Sequence, residues 1–281
     1  MKYEIGINTN CECGDTLEET MRNIKAAGFE HVMLAAKSGG IAEGLETAKQ
    51  VGLNVPYVHM PYRHPHGVAM IDLWREGAER EYSIKFFINL IKVCDAHGVR
   101  IAVMHPMNRS RQEDYPIDYA LGIDSFRQIL EGTRDCKIKL AIENLNLVLD
   151  KYLAIVLDNI ADDRLGFCYD CGHHYLYTSD IDWMKKYGNR CFAVHVQDNM
   201  VDAEHDDDWG GDIHLLPFDG KVDFEKVMRD IANSSYEDVL MMELHREFKD
   251  KNQIYDLSPI DYLREAYNRG QKLVDMLKQY K

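Results

Sequence analysis

The 281-residue chain has no apolar run approaching the roughly 20 residues of a membrane-spanning helix, and its opening, MKYEIGINTN, is too short in apolar residues for a secretory signal. A cytosolic protein with no membrane partner is expected. Also missing are a Pro/Ser/Gly-rich linker, a low-complexity tract and a repeat of fixed period, so one domain over 1–281 is expected. Positive charge is scarce: 33 Lys and Arg face 47 Asp and Glu, a net charge of −14. No stretch mixes basic with aromatic residues densely enough to grip a bent duplex, so a nucleic-acid partner is disfavoured. Cysteine is present in odd number, seven, mostly inside apolar runs, which suits reduced buried thiols. The Cys168–Cys171 spacing straddles Asp170 at the end of such a run and does not open a helix, so core packing is preferred over a redox dithiol. Cys11 and Cys13 lack the second pair that a structural zinc site needs.

What the chain does have is a series of polar side chains closing apolar runs. His59, His105, Glu143, Asp170, His195 and Glu243 terminate NVPYVH, RIAVMH, KLAIE, LGFCYD, CFAVH and VLMME. Continuous apolar runs mark strands buried on both faces, and an imidazole or carboxylate at such a position must be paired, hydrogen-bonded or metal-bound. The runs belong to eight strand–helix alternations. Strands are predicted near 4–9, 31–36, 54–60, 100–106, 139–145, 165–171, 190–197 and 238–244. Helical patterns fall at 16–27, 41–51, 72–97, 118–135, 150–160, 180–187, 223–233 and 260–279. The α/β class with a single (β/α)8 TIM barrel is the expectation, ahead of a doubly wound open sheet. Ring closure would aim the six side chains into one pocket at the carboxyl ends of the strands. Two connections, 61–71 and 198–222, exceed what a barrel requires and are expected to be functional or disordered.

The donor types point to a divalent ion. Mixed imidazole and carboxylate ligands suit Zn, Mn, Co or Fe, whereas Ca and Mg favour all-oxygen sets. Asp170 and His173 stand at D-x-x-H spacing just past a strand, and Asp212 and His214 stand two apart, so a short extended segment would direct both the same way. Glu143 and Glu243, on strands five and eight, are placed to act on opposite faces of one substrate carbon. A structural role is expected for His31, His97 and His245, and an outward or supporting one for His174. Arg63, His64 and His66 either bind a phosphate or carboxylate over the mouth or shape a Pro-rich turn. The 198–222 connection, which contains Trp209, Asp212, His214 and Gly220, is not expected to be plain solvent-facing coil, and Asp206–Asp208 is expected to form a solvated edge.

At these residues the chain resembles the xylose-isomerase-like barrel superfamily, in VHMPYR (58–63), HPMN (105–108), IENLN (142–146), YDCGHH (169–174), HVQDN (195–199), DIHLLPFDG (212–220) and MELH (242–245). Likeness to its epimerase and isomerase branch implies one divalent ion, often Mn, on positions matching Glu143, Asp170, His195 and Glu243. It also implies acid/base roles for Glu143 and Glu243, and contact between His173 and a substrate oxygen. The implied reaction is proton transfer beside a polarised carbonyl through an enediolate, in a small sugar or sugar phosphate, without an organic cofactor. Likeness to endonuclease IV implies instead three zinc ions on positions matching His59, His105, Glu143, Asp170, His173, His195, Asp212, His214 and Glu243, and phosphodiester cleavage.

Departures from the second pattern favour the first. GINTNCECG, ENLNLVL and DIHLLPFDG stand where a Gly-Ser-His start, a Gly-rich ENTAG-like segment and D-R-H are expected, and the last resembles the loop of sugar-phosphate isomerases. Asp212 and His214, however, replace an arginine frequent among ketose 3-epimerases. A metal-dependent sugar or sugar-phosphate isomerase or epimerase is thus the expectation. A trinuclear-zinc phosphodiesterase and a non-catalytic sugar-binding barrel are the alternatives. Pairing of barrels into a homo-oligomer is compatible with surface aromatics such as Trp74 and Tyr82.

Overall fold

The computed structural model describes residues 3–35, 40–63, 72–107, 118–200, 211–247 and 255–281. Eight parallel strands close into a barrel in sequence order: β1 (Ile5–Asn8), β2 (His31–Ala35), β3 (Asn54–His59), β4 (Ile101–Met104), β5 (Lys139–Glu143), β6 (Leu165–Asp170), β7 (Cys191–Val196) and β8 (Leu240–Met242). β1 pairs with both β2 and β8, which completes the ring and satisfies every strand edge. The expected (β/α)8 architecture is the observed one, and the open sheet is not. Around it lie α1 (Leu17–Ala26), α2 (Ile41–Val51), α3 (Ala78–Ala96), α4 (Tyr119–Gly132), α5 (Leu147–Asn159), α6 (Cys171–Tyr177), α7 (Trp183–Tyr187), α8 (Phe224–Ala232) and α9 (Pro259–Lys278). Among the described residues no helix is long and apolar enough to cross a membrane.

Strand periodicity sorts side chains into two cores. Val58, Ala102, Leu140, Ile142, Phe167, Tyr169 and Val194 pack outward against the helices. Met33, Tyr57, Ile101, Val103, Ala141, Cys168, Ala193, Val239 and Met241 pack on one another inside the ring. Two residues beyond an interior position the side chain returns to the same face. Tyr57 therefore precedes His59, Val103 precedes His105, Ala141 precedes Glu143, Cys168 precedes Asp170, Ala193 precedes His195, and Met241 precedes Glu243. The six polar side chains form the layer above the apolar interior, at the carboxyl end of the barrel.

Helix boundaries depart from periodicity where side chains compete for the backbone. The pattern at 72–97 yields a helix only from Ala78, because the Asp72 carboxylate accepts from Trp74 N at 2.9 Å and pairs with Arg75, which turns the chain before the helix begins. The turn drives Trp74, 1% exposed, against Phe126 and Tyr152, and its indole N–H donates to the Pro106 carbonyl at 2.7 Å. Trp74 is thus a core residue and not a surface aromatic; Tyr82, 47% exposed, is one. α5 starts three residues before the expected 150, since Asn146 caps it through Leu149 N. α6 was not expected: Asp170 caps it by accepting from His173 N at 2.7 Å. All seven cysteines are free thiols, and six are buried.

Replacing Trp74 by Ala should cost about 3–5 kcal/mol through the cavity and the freed Pro106 carbonyl. Leu147→Ala, at a side chain 64% exposed, should stay within about 0.5 kcal/mol. Urea unfolding midpoints at constant m-value measure both.

Candidate metal centre

The polar layer assembles three groups of donors, in each of which one atom per residue lies within 4.8 Å of the others: Glu143, Asp170, His195 and Glu243; His59, His105 and Glu143; His173, Asp212 and His214. Every metal-ligand position expected from the sequence falls in one of them. At the centre, Nδ1 of His195 stands 2.8 Å from Glu143 Oε1, 2.9 Å from Glu243 Oε2 and 3.7 Å from Asp170 Oδ2. The second oxygen of Glu143 meets Nε2 of His59 at 3.1 Å and of His105 at 3.5 Å. On the other flank, Asp212 Oδ2 lies 3.1 Å from His173 Nε2 and 3.2 Å from His214 Nε2.

The tautomers carry information. A carbonyl oxygen only accepts, so Nδ1–H must donate from His59 to Met60 O (3.0 Å), from His173 to Asn144 O (3.0 Å) and from His214 to Glu243 O (2.9 Å). A neutral ring then turns its Nε2 lone pair toward a carboxylate oxygen. That arrangement is repulsive unless the ring is protonated or a cation lies between. Backbone carbonyls holding the far N–H are the usual support behind metal-binding imidazoles. His195 is turned the other way: its Nε2 is buried without a hydrogen-bond partner among the described residues, and its Nδ1 faces the carboxylates. The donor set therefore fits a divalent ion.

Electrostatics agree. Burial opposes charge on Glu143, but His195, His105 and His59 override it and hold that carboxyl well below the usual range. Glu243 is held at about 2, burial again being overcome by His195. Asp170 is pushed up by burial and by the neighbouring Glu143 and Glu243 charges. Burial lowers His105. In His173 and His214 burial works in the same direction but Asp170 and Asp212 prevail, raising His173 well above its usual value and His214 to about 9. Without a cation, the centre requires protons to balance its carboxylates.

Of the remaining expectations, Arg63 is exposed at the rim, its guanidinium 6.0 Å from the Tyr62 ring centroid, and Tyr62 stacks on His105 at 5.7 Å. His64, His66, Trp209 and Asp206–Asp208 lie outside the described residues. His31 pairs with Glu4, and His174 shares a hydrogen with the Tyr169 hydroxyl at 2.7 Å. His245 stands closer to the centre than expected: its ring lies edge-on to His214 at 4.9 Å and its Nδ1 is 2.9 Å from Glu12 Oε1. Glu12 adopts φ 52°, a conformation uncommon outside glycine, in the NCECGD turn that thiol spacing alone did not explain. Gln197 and Asn199, which bond Asp170 and the 212–214 segment, were also not singled out, because uncharged amides after a strand resemble any loop.

A family model described as xylose isomerase-like TIM barrel matches residues 21–266. The chain belongs to this family. Solved structures with the same fold include a D-tagatose 3-epimerase-like protein (17% identity, TM-score 0.72, 99% of this chain and 98% of that one). A D-psicose 3-epimerase structure in the presence of D-fructose has 14% identity and TM-score 0.71, with 98% and 99% covered. The IOLI protein with a binding zinc atom has 14% identity and TM-score 0.73, with 99% of both chains covered. An uncharacterized protein of Sinorhizobium fredii is 28% identical over 209 residues, 71% of this chain, which spans 62% of that relative's length. Inosose dehydratase of Clostridium perfringens is 22% identical over 216 residues, 67% of this chain and 72% of that one.

A pH dependence follows for chelator-treated protein of this family. His214 has its folded pKa raised from 6.5 to about 9, so the stability it contributes is fully present below pH 6.5 and is lost as pH rises through about 9. His173 acts in the same direction. Thermal midpoints without metal should fall across this window, and Asp212→Asn should flatten the fall.

Proposed function

We propose that the protein is a divalent-metal-dependent isomerase or epimerase of a small sugar or sugar phosphate. The observation that carries this reading is the convergence of two carboxylates from different strand ends, Glu143 of β5 and Glu243 just past β8, on one imidazole nitrogen. The epimerase names among structures of the same fold, and inosose dehydratase among relatives, support a polyol-like substrate.

Glu143, Asp170, His195 and Glu243 would hold the ion, with Mn, Zn or Co suited to the donors. When bound, it polarises a carbonyl and its neighbouring hydroxyl and acidifies the carbon-bound proton beside them. The glutamates are not equivalent. Glu243, 12% exposed in its side chain, is the more open, removes the proton and afterwards gives it up to the mouth. Glu143, 1% exposed and kept ionised by its imidazoles, passes to the opposite face a proton drawn from protonated His59, 3.1 Å from its second oxygen and 12% exposed, which solvent at the mouth replaces. His173 is suited to orient a substrate oxygen, and Arg63 to meet a phosphate at the rim.

A second reading has a specific support. In the flanking groups His59, His173 and His214 each donate Nδ1–H to a backbone carbonyl and turn Nε2 toward a carboxylate, and one flank shares Glu143 with the centre, so the nine donors suit three zinc ions and a phosphodiester hydrolase of the endonuclease IV kind.

Elemental mass spectrometry of protein purified without chelator separates the two. About one Mn or Co per chain is expected for the isomerase or epimerase; close to three Zn, with cleavage of an abasic duplex, would replace that reading with the second. Glu143→Gln and Glu243→Gln should each lower turnover at least about 100-fold with the fold intact. Solvent deuterium uptake into a ketose panel is the assay, and retained exchange in either variant would remove the two-carboxylate mechanism.

A further inference from the structure

Behind Asp170 runs a chain of amides with a single possible direction. The backbone N–H groups of Ile213 and His214 donate to Asn199 Oδ1 at 2.8 and 3.3 Å. An N–H can only donate, so the Asn199 oxygen is committed to the loop and its amino group to the other side. Asn199 Nδ2 donates to Gln197 Oε1 at 3.0 Å and reaches Asp212 Oδ1 at 3.5 Å. Gln197, its oxygen engaged, must turn Nε2 toward Asp170, 3.2 Å from Oδ1 and 3.0 Å from Oδ2. Oδ1 also receives His173 N at 2.7 Å, which leaves Oδ2 as the oxygen facing His195 and His173. Asp170, Gln197 and Asn199 are all 0% exposed, so water does not substitute for these bonds.

Space around the segment is made for it. A Cβ at Gly172 would lie 2.5 to 2.7 Å from Cδ, Cγ and Oε1 of Gln197, and one at Gly220 would lie 2.3 Å from Asp198 Oδ1 and 2.4 Å from Asn199 O. Neither glycine has a positive φ, so close approach and not backbone conformation requires them. Asp198 secures the same loop by accepting from the backbone N–H of Phe218, Gly220 and Val222 at 2.8 to 2.9 Å.

We infer that Gln197 and Asn199 are positioning residues that tie the orientation of the Asp170 ligand oxygen to the seating of the 212–214 segment, through two amides each of which fixes the polarity of the next. The inference rests on the metal-centre reading above.

The test uses Mn2+ alone, titrated into chelator-stripped protein and followed by the electron paramagnetic resonance signal of the free ion. Asn199→Asp keeps the acceptor for the loop but removes the donor to Gln197, whose amide must reverse and turn its oxygen on Asp170. Affinity for Mn2+ should fall about 10- to 100-fold, the effect of losing a partner behind a ligand. Gln197→Met, which leaves the loop bonds of Asn199 in place, should lower it by a similar factor and keeps the test open if Asn199→Asp fails to fold. The double variant should be no weaker than Gln197→Met alone, because no amide remains to pass the change on. Wild-type affinity in Gln197→Met, or additive losses in the double variant, would overturn the relay. Failure of the wild-type chain to bind Mn2+ in this titration, together with no Zn retained in elemental mass spectrometry, would instead overturn the functional reading and remove the relay's purpose with it.

Discussion

Glu143 is the point on which the arrangement turns. Its carboxylate is 1% exposed yet has imidazoles at both oxygens, His195 on one and His59 and His105 on the other. A buried carboxylate without such partners would protonate. With them it stays charged, and it thereby joins the central donor group to a flanking one. Asp170 and Glu243 crowd the same nitrogen of His195, so negative charge accumulates where solvent cannot disperse it. Protons on imidazoles or a divalent cation are the two ways to balance it. The backbone carbonyls that accept from Nδ1–H of His59, His173 and His214 turn the Nε2 atoms of these rings toward the carboxylates.

The barrel makes this concentration of charge tolerable. The apolar ring interior of Tyr57, Val103, Ala141, Cys168, Ala193 and Met241 supports the polar layer from below, and each supporting residue stands two positions before a donor. Rigid strands therefore fix the donors on β3 to β8. The third flank is built differently: Asp212 and His214 come from a connection and must be held by side chains. Asp198 accepts three of that connection's backbone N–H groups, Asn199 accepts two more, and His214 adopts φ 51°, a conformation maintained only where surrounding bonds determine it.

The family alone does not determine the chemistry, because one barrel supports different donor sets in the same layer. On the proposed reading the four central donors hold one ion and serve proton transfer beside a carbonyl; on the second reading the two flanks hold additional ions. The difference between these chemistries lies in how many cations balance the carboxylates. His245, edge-on to His214 and bonded to Glu12, adds a further imidazole at the border of the third group that no spacing rule had marked.

Much of the fold and most of the donor list were legible in the sequence, for a local reason. Buried strands appear as apolar runs, and an ionisable residue closing six of them is a signal confined to a few adjacent positions. Helix starts at Ala78, Leu147 and Cys171 were less legible, because Asp72, Asn146 and Asp170 act on the backbone through hydrogen bonds that periodicity does not carry. The sequence by itself determined the eight alternations, the donor types and their level in the barrel. Only the tertiary structure decided which donors share a group, that Glu143 belongs to two, which nitrogen each imidazole offers, and that Gln197 and Asn199 support Asp170. Those depend on ring closure, strand register and the path of the 211–222 connection, which bring together residues far apart in the chain.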